Sequence, residues 1–118
     1  MIKYDKKPHI LVIGDLMIDE YLWGSCERIS PEAPVQVVDI KKETTVLGGA
    51  GNVINNLVSL GAKVSVMSVI GNDDAGHEVK SMLDKIEVKS FLVEQKGRKT
   101  SRKTRLMASH SQVVRYDK

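Results

Sequence analysis

The chain has 118 residues, 42% of them hydrophobic and 28% charged, enough for about one small domain of ordinary soluble composition. A net charge of +3 is too mild to imply a polyanionic partner by itself, and 4% aromatic residues point to an aliphatic core. The lone Cys26 excludes an internal disulfide. His residues only at 9, 77 and 110 give no zinc-like cluster.

The polar N-terminus runs into Ile10-Leu11-Val12-Ile13, too short for a secretory h-region or a membrane span, so a cytoplasmic protein is expected. This run, closed by Gly14-Asp15, reads as a central parallel strand of an α/β sheet, buried on both faces. Ligand groups in such sheets gather at the carboxyl ends of strands, where Asp15 and Asp19 fall. Each carboxylate can accept several hydroxyl hydrogen bonds, which suits a polyol, and each is equally placed to be a turn or capping residue. Cys26 reads as a packed or bystander thiol, since no His is near it in sequence.

Residues 17–47 read as a small antiparallel excursion from the main sheet. Ile29 to Pro34 carries two prolines and is loop or extended chain. Val35 to Ile40 alternates as a strand with one exposed face, and Lys41 to Glu43 is expected to be a turn. Thr44 to Leu47 then leads into Gly48-Gly49-Ala50-Gly51-Asn52.

Those glycines stand directly before apolar residues at 50, 53, 54, 57 and 58, the spacing of one helix face, and Gly61 is the helix stop. A glycine turn opening a helix presents unpaired N–H groups to an anion or a hydroxyl, and Asn52 adds a directional side chain. The alternative is a tight turn that lets the helix pack closely on the sheet. No Gly-Lys-Ser/Thr follows, so it is not a Walker A loop, and no G-x-G-x-x-G is present.

Val64 to Gly71 reads as a second core strand. Asn72-Asp73-Asp74 begins a helix with apolar positions at 79, 82, 83 and 86, which makes Asp73 and Asp74 helix-start residues rather than catalytic ones. His77 on that helix has no evident partner. Val88 to Val93 is a third strand, and this order argues for an α/β fold with parallel pairing.

Lys96 to Arg105 holds six basic residues in ten and no acid, then continues through Ser109-His110-Ser111 into Gln112-Val113-Val114-Arg115-Tyr116, a β-hairpin. Lys103 and Arg105 share one face of a strand and Arg102 the other. Converging cations would hold a phosphate. A nucleic-acid patch would want interleaved aromatics, which are missing. A basic edge strand that discourages aggregation is the plainest reading.

Taken together, Ile13-Gly14-Asp15-Leu16-Met17-Ile18-Asp19-Glu20-Tyr21, Arg28-Ile29-Ser30-Pro31-Glu32-Ala33-Pro34-Val35, Leu47-Gly48-Gly49-Ala50-Gly51-Asn52-Val53 and Leu60-Gly61-Ala62 resemble the ribokinase (PfkB-type) carbohydrate kinases. Thr100-x-x-Lys103-x-Arg105 and Gln112-Val113-Val114-Arg115-x-Asp117 continue the likeness. The 28–35 segment is most similar to the branch that phosphorylates D-glycero-β-D-manno-heptose 7-phosphate, found alone or fused to an adenylyltransferase. The resemblance implies the N-terminal portion of a ribokinase-like fold: a core over about 9–16 and 48–94, and a β lid over about 17–47 and 98–117. It implies ATP- and Mg2+-dependent phosphorylation of an anomeric hydroxyl on the route to ADP-heptose and lipopolysaccharide.

On that template Asp15, Asp19, Gly48, Gly49 and Asn52 contact the sugar. Lys103 and Arg105 are lid or phosphate contacts, with Arg28 a weaker candidate. Lids in this family often pair between subunits, which implies a homodimer and neither membrane nor nucleic-acid partners. The family's general base is an Asp in a later G-A-G-D turn that also holds the phosphoryl anion hole. Here Gly49-Ala50-Gly51 is followed by Asn52, so no catalytic base is assigned. The chain is therefore expected to be an N-terminal fragment that is inactive alone, binds no ATP or Mg2+ by itself, and leaves an apolar sheet face without later helices to cover it. A non-catalytic phosphosugar-binding or dimerisation module is the alternative.

Overall fold

The computed structural model describes residues 7–29, 32, 34–109 and 111–118. Ser30, Pro31, Ala33 and the His110 of the expected turn lie outside the described residues. The elements in order are β1 (His9–Ile13), β2 (Leu16–Ile29), β3 (Gln36–Gly49), α1 (Ala50–Ser59), β4 (Lys63–Gly71), α2 (Asp74–Lys85), β5 (Lys89–Gln95), β6 (Arg102–Ala108) and β7 (Ser111–Asp117). They form two compact units, residues 1–18 with 47–101, and residues 19–46 with 102–118.

The first unit holds a three-stranded sheet in the order β1-β4-β5, both pairs parallel. Val12 lies opposite Val66, and Val66 opposite Ser90, so the three strands share one register of inward and outward positions. The order steps in one direction, and right-handed crossovers then put α1 and α2 on the same face. The core lies there: Val64, Val66 and Ile70 of β4 meet Ile54 of α1 and Val79 and Leu83 of α2, with Leu16, Ile18 and Leu47 completing it.

The expectation of a first strand buried on both faces is not met. β1 is an edge strand of this sheet, and its alternate residues Leu11 and Ile13 are exposed, as are Met67, Val69, Phe91 and Val93. One-directional crossovers cover one face only. The uncovered face stays apolar because its residues are those of a strand made to be covered twice.

Both helices follow their local signals. Asp73 caps α2, its Oδ1 accepting the Gly76 N–H at 2.8 Å, and Asp74 and Lys85 place complementary charge at the two ends. α1 ends in Gly61 at φ +91°, which brings the Gly61 N–H onto the Val58 carbonyl and the Ala62 N–H onto the Leu57 carbonyl. The helical stripe is narrower than its spacing implied. Ile54 is fully buried but Val53 is 51% exposed, and the buried Gly51 takes the place of a side chain against Leu47.

The second unit is a four-stranded sheet in the order β3-β2-β6-β7. β6 and β7 pair antiparallel, with a bulge between Leu106 and Met107. Two expectations change here. Residues 41–43 are not a turn, since β3 runs without a break from Gln36 to Gly49. The basic strand β6 is not a solvated edge either. It lies between β2 and β7, with Thr104 buried, and β7 is the fully exposed edge. No helix of the described residues is long and apolar enough to cross a membrane.

Candidate functional site

In the first unit the chemistry gathers where β1 ends and α1 begins. The Ala50 N–H, first of the unpaired helix donors, gives a 2.8 Å hydrogen bond to the Asp15 carbonyl. That bond ties the carboxyl end of β1 to the glycine turn and brings Asp15 and Gly49 together. Gly49 has φ +60° and ψ −129°, a region closed to other L-residues. A Cβ there would stand 2.5 Å from the Asp15 carbonyl oxygen, and one on Gly51 would stand 2.5 Å from the Leu47 Cβ. Two of the three glycines are thus required by internal packing, the plainer of the two readings for the turn.

The polar side chains left open to solvent at this corner are those of Asp15, 82% exposed, and of the exposed Asn52; Gly48 is buried. Sequence reasoning missed Arg98, whose guanidinium comes within 3.8 Å of the Asp15 carboxylate. The pair is loose and solvated, so it adds little stability and leaves Asp15 open to accept from a hydroxyl.

A second knot holds the segment that carries Arg98. The Thr100 N–H donates to Asp73 Oδ2 at 2.9 Å, and the Gly71 N–H donates to Thr100 Oγ1 at 2.9 Å. Gly71 and Gly76 leave room for it: a Cβ on Gly71 would be 2.1 Å from the Arg98 carbonyl oxygen, and one on Gly76 2.2 Å from that of Gly71. Burial pushes the Asp73 carboxyl up, but the N–H groups of Thr100 and Gly76 and the Thr100 hydroxyl outweigh it and hold it below its ordinary 3.8. Asp73 is a helix cap, as expected, and also a clasp on the approach to β6. Asp-x-x-Gly after a strand was the available signal.

In the second unit, Asp19 and Arg105 pair with each other at 3.3 Å, both largely buried. The Arg105 guanidinium also sits 5.3 Å from the centroid of the Tyr21 ring. On the opposite face Arg102 donates to Glu20 at 2.6 Å, which agrees with the alternation expected for residues 102, 103 and 105. Lys103 lies opposite Asp117 in the β6–β7 register, and Asp117 also takes both the Nε and Nη2 hydrogens of Arg115 at 3.0 Å. Those bonds hold the Asp117 carboxyl below, and the Arg115 guanidinium above, their ordinary ranges. Arg28 lies on β2 with its side chain outside the described residues. Cys26 is half-buried, His77 is exposed, and no three His, Cys, Asp or Glu side chains among the described residues gather to hold a metal ion.

The sequence profile of the pfkB family of carbohydrate kinases matches residues 7–117. The chain belongs to that family. Among curated relatives, it is 67% identical over 113 residues to the bifunctional protein HldE of Aliarcobacter butzleri and 68% identical over 112 residues to HldE of Sulfurimonas denitrificans. The matches cover 95% and 94% of this chain and 24% of each relative, so the chain spans about a quarter of their length. In fold it is similar to a carbohydrate kinase from Agrobacterium tumefaciens, with a TM-score of 0.71 and 22% identity over 94% of this chain and 35% of the other. It is likewise similar to Escherichia coli phosphofructokinase-2 in complex with fructose-6-phosphate, with a TM-score of 0.66 and 20% identity over 94% of this chain and 34% of that one. The ribokinase-like α/β fold read from the sequence is the fold observed.

Proposed function

We propose that this chain is the acceptor-binding part of an ATP-dependent kinase that phosphorylates the anomeric hydroxyl of a heptose 7-phosphate, on the way to ADP-heptose. The observation that carries the reading is the Ala50–Asp15 bond, which fixes a solvent-open carboxylate beside the glycine turn in a chain two-thirds identical to HldE proteins. Asp15 and Asn52 accept from and donate to sugar hydroxyls, and Gly48 and Gly49 shape the turn that seats them. Asp19, Lys103 and Arg105 are the remaining candidates in this reading, Asp19 for a sugar hydroxyl and the two cations for a phosphate. ATP and Mg2+ belong to the complete kinase in this reading. This reading assigns no general base within this chain. Its work is to bind and orient the acceptor.

Calorimetry with the purified chain and heptose 7-phosphate tests the reading. Saturable binding that Asp15→Ala weakens supports it; absence of binding in a cooperatively folded protein overturns it. Saturable turnover on adding ATP would overturn the claim that the chain alone is inactive. A second reading, a phosphosugar-binding module that pairs as a cytoplasmic homodimer through its edge strands, draws on β7, all of whose residues are exposed at the edge of its sheet.

A further inference from the structure

The uncovered face of the first unit's sheet is not uniformly apolar. Leu11 of β1 lies opposite Ser65 of β4, and Ser65 opposite Lys89 of β5, so the three make one row across the strands. His9 and Phe91 stand two residues along the outer strands on the same face. These five side chains line a groove of about 360 Å3, a volume in the range of small-molecule sites, and none of them is acidic. The groove lies at the amino ends of the strands. The Asp15 corner lies past their carboxyl ends, roughly 13–20 Å away at about 3.3 Å per residue, so the groove is no part of the acceptor site.

Its polar groups converge. Ser65 is 6% exposed, and its Oγ lies 3.0 Å from His9 Nε2. A hydroxyl and an imidazole can each donate or accept, so the Ser65 O–H can turn to an anion while His9 Nε2–H donates to the Ser65 oxygen, at the cost of a tautomer switch. Lys89, the register neighbour of Ser65, does not extend into solvent. Its ammonium sits 5.3 Å from the centroid of the Phe91 ring, which turns it back along β5 over the groove. Leu11 and Phe91, each about half exposed, are the apolar walls.

We propose that this groove binds a small aryl carboxylate, its ring against Leu11 and Phe91 and its carboxylate taken by the Lys89 ammonium and the Ser65 hydroxyl. One cation and one or two neutral donors beside apolar walls suit a singly charged anion with an apolar body. A phosphate would leave most of its acceptors without donors, and an uncharged ring would gain nothing from Lys89. The site stands apart from the acceptor-binding reading and does not depend on it.

Backbone amide NMR spectra of the full chain, titrated with phenylpropanoate, test the proposal. Saturable shifts are expected at His9, Leu11, Ser65, Lys89 and Phe91 and none at Asp15 or Asn52, with a Kd of about 1 mM for a ligand of this size. Acetate lacks the ring and phenylpropanol lacks the charge, so each should bind at least about tenfold more weakly. Lys89→Gln should raise the phenylpropanoate Kd about fivefold to tenfold, and Ser65→Ala about threefold to fivefold. Lys89 is exposed, so its variant keeps the fold, which dispersed amide signals will show. No saturable shift, shifts confined to other residues, or wild-type affinity in Lys89→Gln overturns the proposal. Equal binding of phenylpropanol makes the groove a plain apolar surface and also overturns it. So do shifts that follow protein concentration and not ligand, which make the face a contact between copies.

Discussion

Gly49→Ala is the substitution whose cost the structure specifies best. A methyl group at φ +60° and ψ −129° pays the strain of a backbone region that only glycine occupies freely, of order 1–3 kcal/mol. The new Cβ would also stand 2.5 Å from the Asp15 carbonyl oxygen, a separation that must open. Opening it stretches the 2.8 Å bond from the Ala50 N–H, a loss of about 0.5–1.5 kcal/mol. The total is about 1.5–4.5 kcal/mol, or roughly 6–18 °C in Tm at about 4 °C per kcal/mol for a domain of this size. Gly61→Ala is the control. Its φ is +91°, but nothing lies within 4 Å of its Cβ, so it carries strain without collision. Urea unfolding of both variants, with heptose 7-phosphate calorimetry, reads the difference. Gly49→Ala should be the less stable of the two and should bind the sugar more weakly, because Asp15 has moved. Equal midpoints in the two variants would refute the close approach of the turn to Asp15.

Three further outcomes follow from particular contacts. Asp73→Asn should destabilise by about 1–3 kcal/mol at neutral pH, since an amide cannot accept from both the Gly76 and Thr100 N–H groups. Because the Asp73 carboxyl titrates below 3.8 when folded, its contribution is full above that value and is lost as the pH falls through the folded value, so the gap between variant and wild type in urea titrations should close in acid. In α1, Ile54→Ala should cost about 2–5 kcal/mol and its neighbour Val53→Ala less than about 1, because one is fully buried and the other half exposed; comparable thermal shifts would contradict the packing described. Val93→Lys on the uncovered sheet face should change unfolding by no more than about 0.5 kcal/mol and reduce concentration-dependent association in analytical ultracentrifugation; unfolding of the variant would mean that the face is packed.

The glycine turn shows how far the sequence reaches. Its position, the helix behind it and the Gly61 stop were all legible, because caps and glycine φ preferences act within a few residues. What the glycines are for was not. Asp15 and Leu47 meet them from distant or turned-back chain, and only packed coordinates reveal that Gly49 and Gly51 make room for those neighbours. The basic run 96–105 was misread as an edge for a similar reason. Composition says that it is charged, while strand order, which puts β6 between β2 and β7, is a pairing of residues some 80 positions apart.

The sequence alone determined the family, the alternation of strands and helices, and the polar and charged residue types on offer, since each is written in short-range pattern or motif. Tertiary structure decided which of those residues are already engaged. It joined Asp19 to Arg105, hung Thr100 on Asp73, brought Arg98 to Asp15 and left Trp23 and one sheet face exposed. Charge and hydrophobicity belong to a residue. Partnership and exposure belong to whatever the fold brings alongside it, and that is fixed only when distant segments pack.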